Sequence, residues 1–243
     1  MSGIQQMLFA STRPQVTGPT DPNFASVELL LQGGQANGST TIVDSSGNGR
    51  TPATNQDVDY SNTQTKWHST SLKFDGNDYL GYTYTADLQP SGDFTWEAWL
   101  YPTTLSDFPT LMGYGANGIA LLYHNTGNSI KIEMDLDGVG LNVEHNTGTS
   151  LTINVWQHLA VTRSGSDVRV FKDGTQIGST QTLTGAPSTT RNLSISSYVH
   201  PSSGGGASPA NYFTGFMDDI RFTNGVARYT GNFTAPTAAF PTQ

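Results

Sequence analysis

The feature that most constrains this chain is its rhythm of short apolar runs, each closed by turn residues. The runs VELLL (27–31), FTWEAWLY (94–101), WQHLAVTR (156–163) and YFTGFMDDIRF (212–222) are the clearest. None develops the periodicity of a helix, and each stops at glycine, asparagine, aspartate or proline. Many short strands parted by tight turns fold as a sandwich or a barrel.

Further strands are expected over residues 118–123, 129–136 and 193–196. Asp75-Gly76 in SLKFDGNDYL predicts the turn of a hairpin, and Asp173-Gly174 predicts another, between strands at 168–171 and 176–177. Residues 1–22 read instead as an arm, aperiodic and broken by Pro14, Gly18, Pro19 and Pro22, so the domain spans 23–243. SSGGGASP (202–209) reads as a loop, and the proline-containing tail FTAPTAAFPTQ is expected to lie extended on the surface.

At 243 residues the chain can bury a large core as one domain, and it does so without cysteine, hence without disulfides or thiolate metal sites. A net charge of -8 with only 11 basic residues argues against nucleic acid as the partner, because phosphate binding requires clustered cations. No apolar run approaches a membrane span, and MSGIQQMLFASTRP lacks the basic and apolar regions of a signal peptide.

Taken in order, several segments resemble the laminin-G-like branch of the concanavalin A-like jelly rolls. SVELLLQGGQANGSTTIVDSSGNG resembles the opening strand and first loop, followed by SLKFDGNDYL and FTWEAWLY. WQHLAVTRSGSDVRVFKDGTQIGS resembles the central hairpin, and FTGFMDDIRFTNGVARYTGNFTAPTAAFP the last strand and exit. The resemblance covers residues 21–243 and implies an all-β, double-sheet jelly-roll sandwich with an extended N-terminal arm. Ser196 departs from it, since the family often places glycine there.

The resemblance also frames the candidate sites. Strict alternation puts Phe216, Asp218, Ile220 and Phe222 on one face, with Asp219 and Arg221 opposite. A carboxylate in that apolar register must be paired, hydrogen-bonded or bound to a cation. The resemblance implies structural calcium held by Asp218 with an early loop, matching Asp44 and the Gly47-Asn48 turn. The alternative is that Asp218 caps neighbouring amides and Asp44 makes a side-chain turn.

KIEMDLDG resembles the catalytic strand of laminarinase-type glucanases, in which paired carboxylates flank the glycosidic bond. Here the carboxylates are Glu133, Asp135 and Asp137, and Asp137 is short and sits in a turn, so the chain is expected not to be an enzyme. His68, His124, His145, His158 and His200 show no metal-ligand spacing. Phe94, Trp96, Trp99 and Trp156 are expected in the core. Tyr82, Tyr84, Tyr114, Tyr123, Tyr198 and Tyr212 lie near loops, where they could stack on sugars or form a subunit contact. The sequons at Asn192 and Asn232 matter only in a eukaryotic secretory pathway.

The wording of the opening and of GVARYTGNFTAPTAAFPTQ resembles domains on bacteriophage virion proteins. It implies a non-enzymatic capsid decoration protein, assembled in the host cytoplasm and displayed on the virion surface. The arm would dock on the major capsid protein or another virion protein, copies would form a homo-oligomer, and the jelly roll could bind glycans. The rival readings are a carbohydrate-binding adhesin or tail-fibre module and a glycoside hydrolase.

Overall fold

The computed structural model describes residues 19–90, 92–105, 109–114, 119–124, 129–134, 143–185, 192–197 and 211–243. Fifteen strands lie among them. In chain order they are β1 (Val27–Leu31), β2 (Thr54–Gln56), β3 (Asp59–Ser61), β4 (Ser71–Asp75), β5 (Tyr79–Tyr82), β6 (Phe94–Pro102), β7 (Thr110–Tyr114) and β8 (Ile119–His124). There follow β9 (Ser129–Met134), β10 (Val143–Asn146), β11 (Gln157–Ser164), β12 (Asp167–Lys172), β13 (Thr175–Thr182), β14 (Leu193–Ile195) and β15 (Thr214–Asn224).

They form two antiparallel sheets. The eight-stranded sheet runs β13-β12-β11-β6-β15-β4-β3, with β1 also paired to β15, and the seven-stranded sheet runs β10-β9-β8-β7-β14-β5-β2. Alternation along each strand supplies one apolar face per sheet, and the two faces meet in a single core. Leu72, Phe74, Trp96, Leu100, Val161 and Phe222 enter it from the first sheet. Leu80, Tyr82, Tyr114, Ile132 and Ile195 enter from the second.

The Asp173-Gly174 turn forms as expected, with φ of 50° and 80°, the left-handed pair that a two-residue hairpin demands. Asp75-Gly76 turns too, but it makes no hairpin. β4 pairs with β3 and β15, whereas β5 pairs with β2 and β14, so the chain crosses from one sheet to the other at that point. Leu72 with Phe74, and Leu80 with Tyr82, thereby reach the same core from opposite sides. Ser196 holds φ of 69°, in the region glycine favours, and its Oγ accepts the Phe213 amide at 3.1 Å.

The expected alternation of β15 is corrected by a bulge between Asp218 and Arg221, with Asp219 at φ 49°. Met217, Ile220 and Phe222 face the core, while Phe216 packs against Tyr101 on the outer face. Asp218 therefore does not share a face with Ile220 and Phe222. The extra residue in the bulge shifts the register between Phe216 and Ile220.

The outer face of the eight-stranded sheet is covered by the chain's own tail. Phe240 is buried with Val27 and Leu30, and the Arg221 guanidinium lies 3.6 Å over its ring. Beneath the tail, Arg221 donates two hydrogen bonds to Glu97 Oε1 at 2.9 and 2.7 Å, and the Tyr229 hydroxyl donates to Glu97 Oε2 at 2.8 Å. Asp21 is buried as well, accepting from Arg221 at 3.1 Å and from Arg228 at 3.0 and 2.7 Å. The boundary expected after Pro22 thus falls inside the domain at Asp21. The rest of the expected arm, residues 1–18, lies outside the described residues.

Two tryptophans expected in the core part company. Trp96 is 4% exposed and packs against Tyr114 and Phe222 at 5.5 and 5.2 Å. Trp156 precedes β11, is only half-buried, and rests on Tyr101 at 5.5 Å on the outer face. Trp96→Ala should cost about 3–5 kcal/mol, and Trp156→Ala about 1 kcal/mol. Chemical denaturation of the two variants checks this ordering, which equal losses would overturn.

Candidate functional site

The two acidic positions marked for calcium are separate structures. Asp44 closes the DSSGNGR loop against β1. Its Oδ1 accepts from the amides of Leu30 and Ser46, both at 2.9 Å, and its Oδ2 accepts from Ser46 Oγ at 2.8 Å and the Arg50 amide at 2.7 Å. Gly47 is exposed in the same loop. Asp44 thus acts as a side-chain turn and strand clamp, with both oxygens engaged by protein donors.

Asp218, fully buried, accepts from the amides of Gly33 and Asp219 at 2.9 Å and from the Trp67 amide at 3.4 Å. Its neighbours are His68 and Asp219, whose ligand-type atoms lie with its own within 4.8 Å of one another, and Asp44 is not in that group. Asp44 and Gly47 thus share the DSSGNGR loop, while Asp218 stands with His68 and Asp219. Amide donors offset part of the cost of burying each carboxylate.

Asp219 ties three segments together. Its Oδ1 accepts from Gln32 Nε2 at 2.7 Å, its Oδ2 accepts the Phe240 amide at 2.9 Å, and His68 Nε2 stands 3.6 Å from Oδ1, within ion-pair reach but beyond a hydrogen bond. The facing Asp219 carboxylate, assisted by Asp218, raises the His68 pKa against the opposing pull of burial. Burial, then the adjacent Asp219, raises that of Asp218, while the amides of Gly33 and Trp67 oppose the rise.

The outer face of the seven-stranded sheet has a different character. Register aligns Thr54, Gly81, Ser194, Gly113, Ala120, Glu133 and Glu144 in one row across all seven strands. Their sequence neighbours Leu80, Tyr82, Met112, Tyr114, Ile132 and Ile195 point into the core, so the row points outward. Gly81, Ser194, Gly113 and Ala120 make a floor of small residues about 14 Å long. A Cβ on Gly81 would make only ordinary contacts, 3.4 Å at the nearest, and neither Gly81 nor Gly113 has a positive φ. Backbone conformation requires glycine at neither place, and strand glycines of this kind mark close approach of a ligand or of another backbone; Gly113 is buried and Gly81 half-buried.

At one side of the floor Tyr79 and Tyr212, both half-buried, pair with ring centroids 6.3 Å apart. At its far end Lys131 Nζ lies 2.6 Å from both Glu133 and Glu144. Of the tyrosines expected near loops, Tyr82 and Tyr114 are instead buried in the core. The Tyr123 side chain, Tyr198, Asp135 and Asp137 lie outside the described residues. Tyr79 was missed because DGNDYL reads as a hairpin, although its alternation with Leu80 already marked it as outward-facing.

A family model for the concanavalin A-like lectin/glucanases superfamily, of laminin-G type, matches residues 74–228. The chain belongs to this superfamily. The superfamily fold recurs in domain 4 of the arabinanase AbnA from Geobacillus stearothermophilus, solved in complex with arabinotriose. That domain has 16% identity and a TM-score of 0.54, with 76% of this chain and 87% of that one covered. It recurs in the receptor-binding domain of botulinum neurotoxin mosaic serotype C/D, at 13% identity and a TM-score of 0.55, covering 87% of this chain and 49% of that one. The binding domain of botulinum neurotoxin DC, in complex with SialylT, matches at 13% identity and a TM-score of 0.52, covering 82% and 48%. The chain spans about half the length of these toxin domains. No curated protein sequence matches it.

If Asp44 works through protein donors alone, chelation should leave the melting temperature unchanged, and Asp44→Ala should lower it equally in chelator and in calcium. A chelator-sensitive melting temperature that Asp44→Ala abolishes would restore the calcium reading.

The His68 pair has a defined pH signature. Because its folded-state pKa is raised, its stabilisation is complete below the unfolded value of about 6.5 and is lost as pH rises through the raised value. Asp78, pushed up from 3.8 to about 6 mainly by burial, has the same sign, but its loss falls mostly below the pH range measured. His68→Gln removes the first contribution and, by taking away a charge that opposes the rise at Asp218, raises the Asp218 pKa further. Denaturation midpoints between about pH 6 and pH 8 should fall more steeply in the parent than in the variant, and identical slopes would exclude the pair.

Proposed function

We propose that the chain is a non-enzymatic carbohydrate-binding module whose ligand face is the outer face of the seven-stranded sheet. The observation that carries this reading is the contrast between the two outer faces. The tail occupies one of them, and on the other Gly81, Ser194, Gly113 and Ala120 align beside the Tyr79–Tyr212 pair, half-buried at Gly81 and Ser194 and buried at Gly113 and Ala120. Pyranose rings offer a C–H face for aromatic stacking and a rim of hydroxyls for hydrogen bonds, and both kinds of partner are at hand. The match to an arabinanase domain solved with arabinotriose agrees with a sugar ligand.

A retaining glycosidase needs two carboxylates with the glycosidic bond between them. Between Glu133 and Glu144 that space holds the Lys131 ammonium, 2.6 Å from each. This pair is therefore not arranged for hydrolysis, and Asp135 and Asp137 lie outside the described residues.

The finer reading is display on a virion. The Asp21 amide donates to the Gln243 carbonyl at 2.8 Å, so the two ends of the described chain meet at the tail-covered face. A particle gripping residues 1–18 would present the small-residue floor outward. Mass spectrometry of purified virions tests this part.

The binding face is tested on a glycan array. The parent chain should bind, and Ser194→Trp, which fills the floor, should abolish binding without altering the melting temperature. Binding undiminished in Ser194→Trp would move the site elsewhere, and hydrolysis of a bound glycan would overturn the non-enzymatic reading.

A further inference from the structure

We infer that this face selects uncharged glycans and rejects acidic ones, an inference that rests on the carbohydrate reading. The first ground is the state of the cation at the end of the floor. An acidic sugar is held by an ammonium or guanidinium with a donor to spare. Lys131 has 6% of its side chain exposed and is clasped by Glu133 and Glu144 at 2.6 Å. To take a sugar carboxylate it would have to leave one of them. Two carboxylates against one ammonium leave this end of the row negative, within a chain of net charge -8. Glu133 has 14% of its side chain exposed, so water screens that excess incompletely.

The second ground is independent of charge. Thr110 pairs with Leu122, and Gly113 pairs with Ala120, two residues earlier on the same strand, so a bulge at Leu111 leaves Thr110 and Gly113 on one face. Thr110 is fully buried, and its Oγ1 has no hydrogen-bond partner. A buried hydroxyl without a partner is costly and uncommon. A sugar hydroxyl, itself both donor and acceptor, is the neutral complement it lacks, and binding there requires the cover over this 0% exposed side chain to part. The Tyr79–Tyr212 pair adds apolar stacking surface, which likewise asks for no charge.

The test uses the full chain on a panel of neutral oligosaccharides and their uronate or sialylated counterparts of matched length. At low salt, affinity for the best neutral ligand should exceed that for its acidic counterpart by about tenfold or more. The gap should narrow as salt is raised and in Glu144→Gln, whose side chain is half exposed and tolerant of change. Thr110→Val should weaken neutral binding several-fold while leaving the melting temperature unchanged or raised, since it removes the orphan hydroxyl. A merely packing role would show the opposite, a lower melting temperature with binding intact. Equal or tighter binding of the acidic series overturns the inference and leaves the carbohydrate reading standing. Failure of every glycan to bind overturns the carbohydrate reading itself.

Discussion

The buried pair of Glu97 and Arg221 organises the molecule. Burial alone would raise the Glu97 pKa, but Arg221, His158 and Arg228 hold it down at about 2. Both side chains lie on the outer face of the eight-stranded sheet, in register on β6 and β15, and would be solvated if nothing covered them. The tail and the residues around Asp21 cover them instead, and each covering segment supplies a partner. Tyr229 reaches Glu97, Asp21 reaches Arg221 and Arg228, and Phe240 lies over the Arg221 guanidinium. Such a cluster yields little net stability over an apolar substitute, but losing one partner costs about 3–5 kcal/mol because a charge is left buried. Its contribution is therefore a unique seat for the tail.

That seat divides the labour of the two sheets. With the tail, Trp67 and His68 packed over one outer face, both ends of the described chain are brought to the same side, and the row of small residues lies on the opposite sheet. The bulge at Asp219 is the joint that makes this possible. It turns Asp218 towards the amides of Gly33 and Trp67, and Asp219 towards Gln32 and the Phe240 amide, so two adjacent carboxylates bind three segments. Asp44 and Asp218, the acidic positions that the resemblance marked for a metal, both accept backbone amide donors. The functional reading moves from the loops at the rim to the sheet opposite.

Alternation and turn chemistry were legible in the residues themselves. VELLL, FTWEAWLY and WQHLAVTR became strands within a residue or so of where their patterns place them, and Asp173-Gly174 took the left-handed pair of angles that its residues favour. The short strands TNQ, DYS and VEHN are edge strands too short and too poor in apolar residues to be seen, although Tyr60 and Ser61 of DYS are buried. Tyr79 and the aligned glycines were invisible as a group, since they come from strands that are not neighbours in sequence.

By itself, then, the sequence determined that this chain makes a two-faced set of strands, that they close a core without disulfides, and that the superfamily is concanavalin A-like. Only the tertiary structure decided that the strands flanking Asp75-Gly76 part to different sheets, that β15 bulges at Asp219, and that Asp21 belongs to the domain. The reason is range. A turn or an alternation is set by adjacent residues, whereas Glu97 meets Arg221 across 124 positions and Asp21 meets Arg228 across 207. No local pattern encodes such a pairing, because its stability comes from the shared exclusion of water once both sheets and the tail have closed.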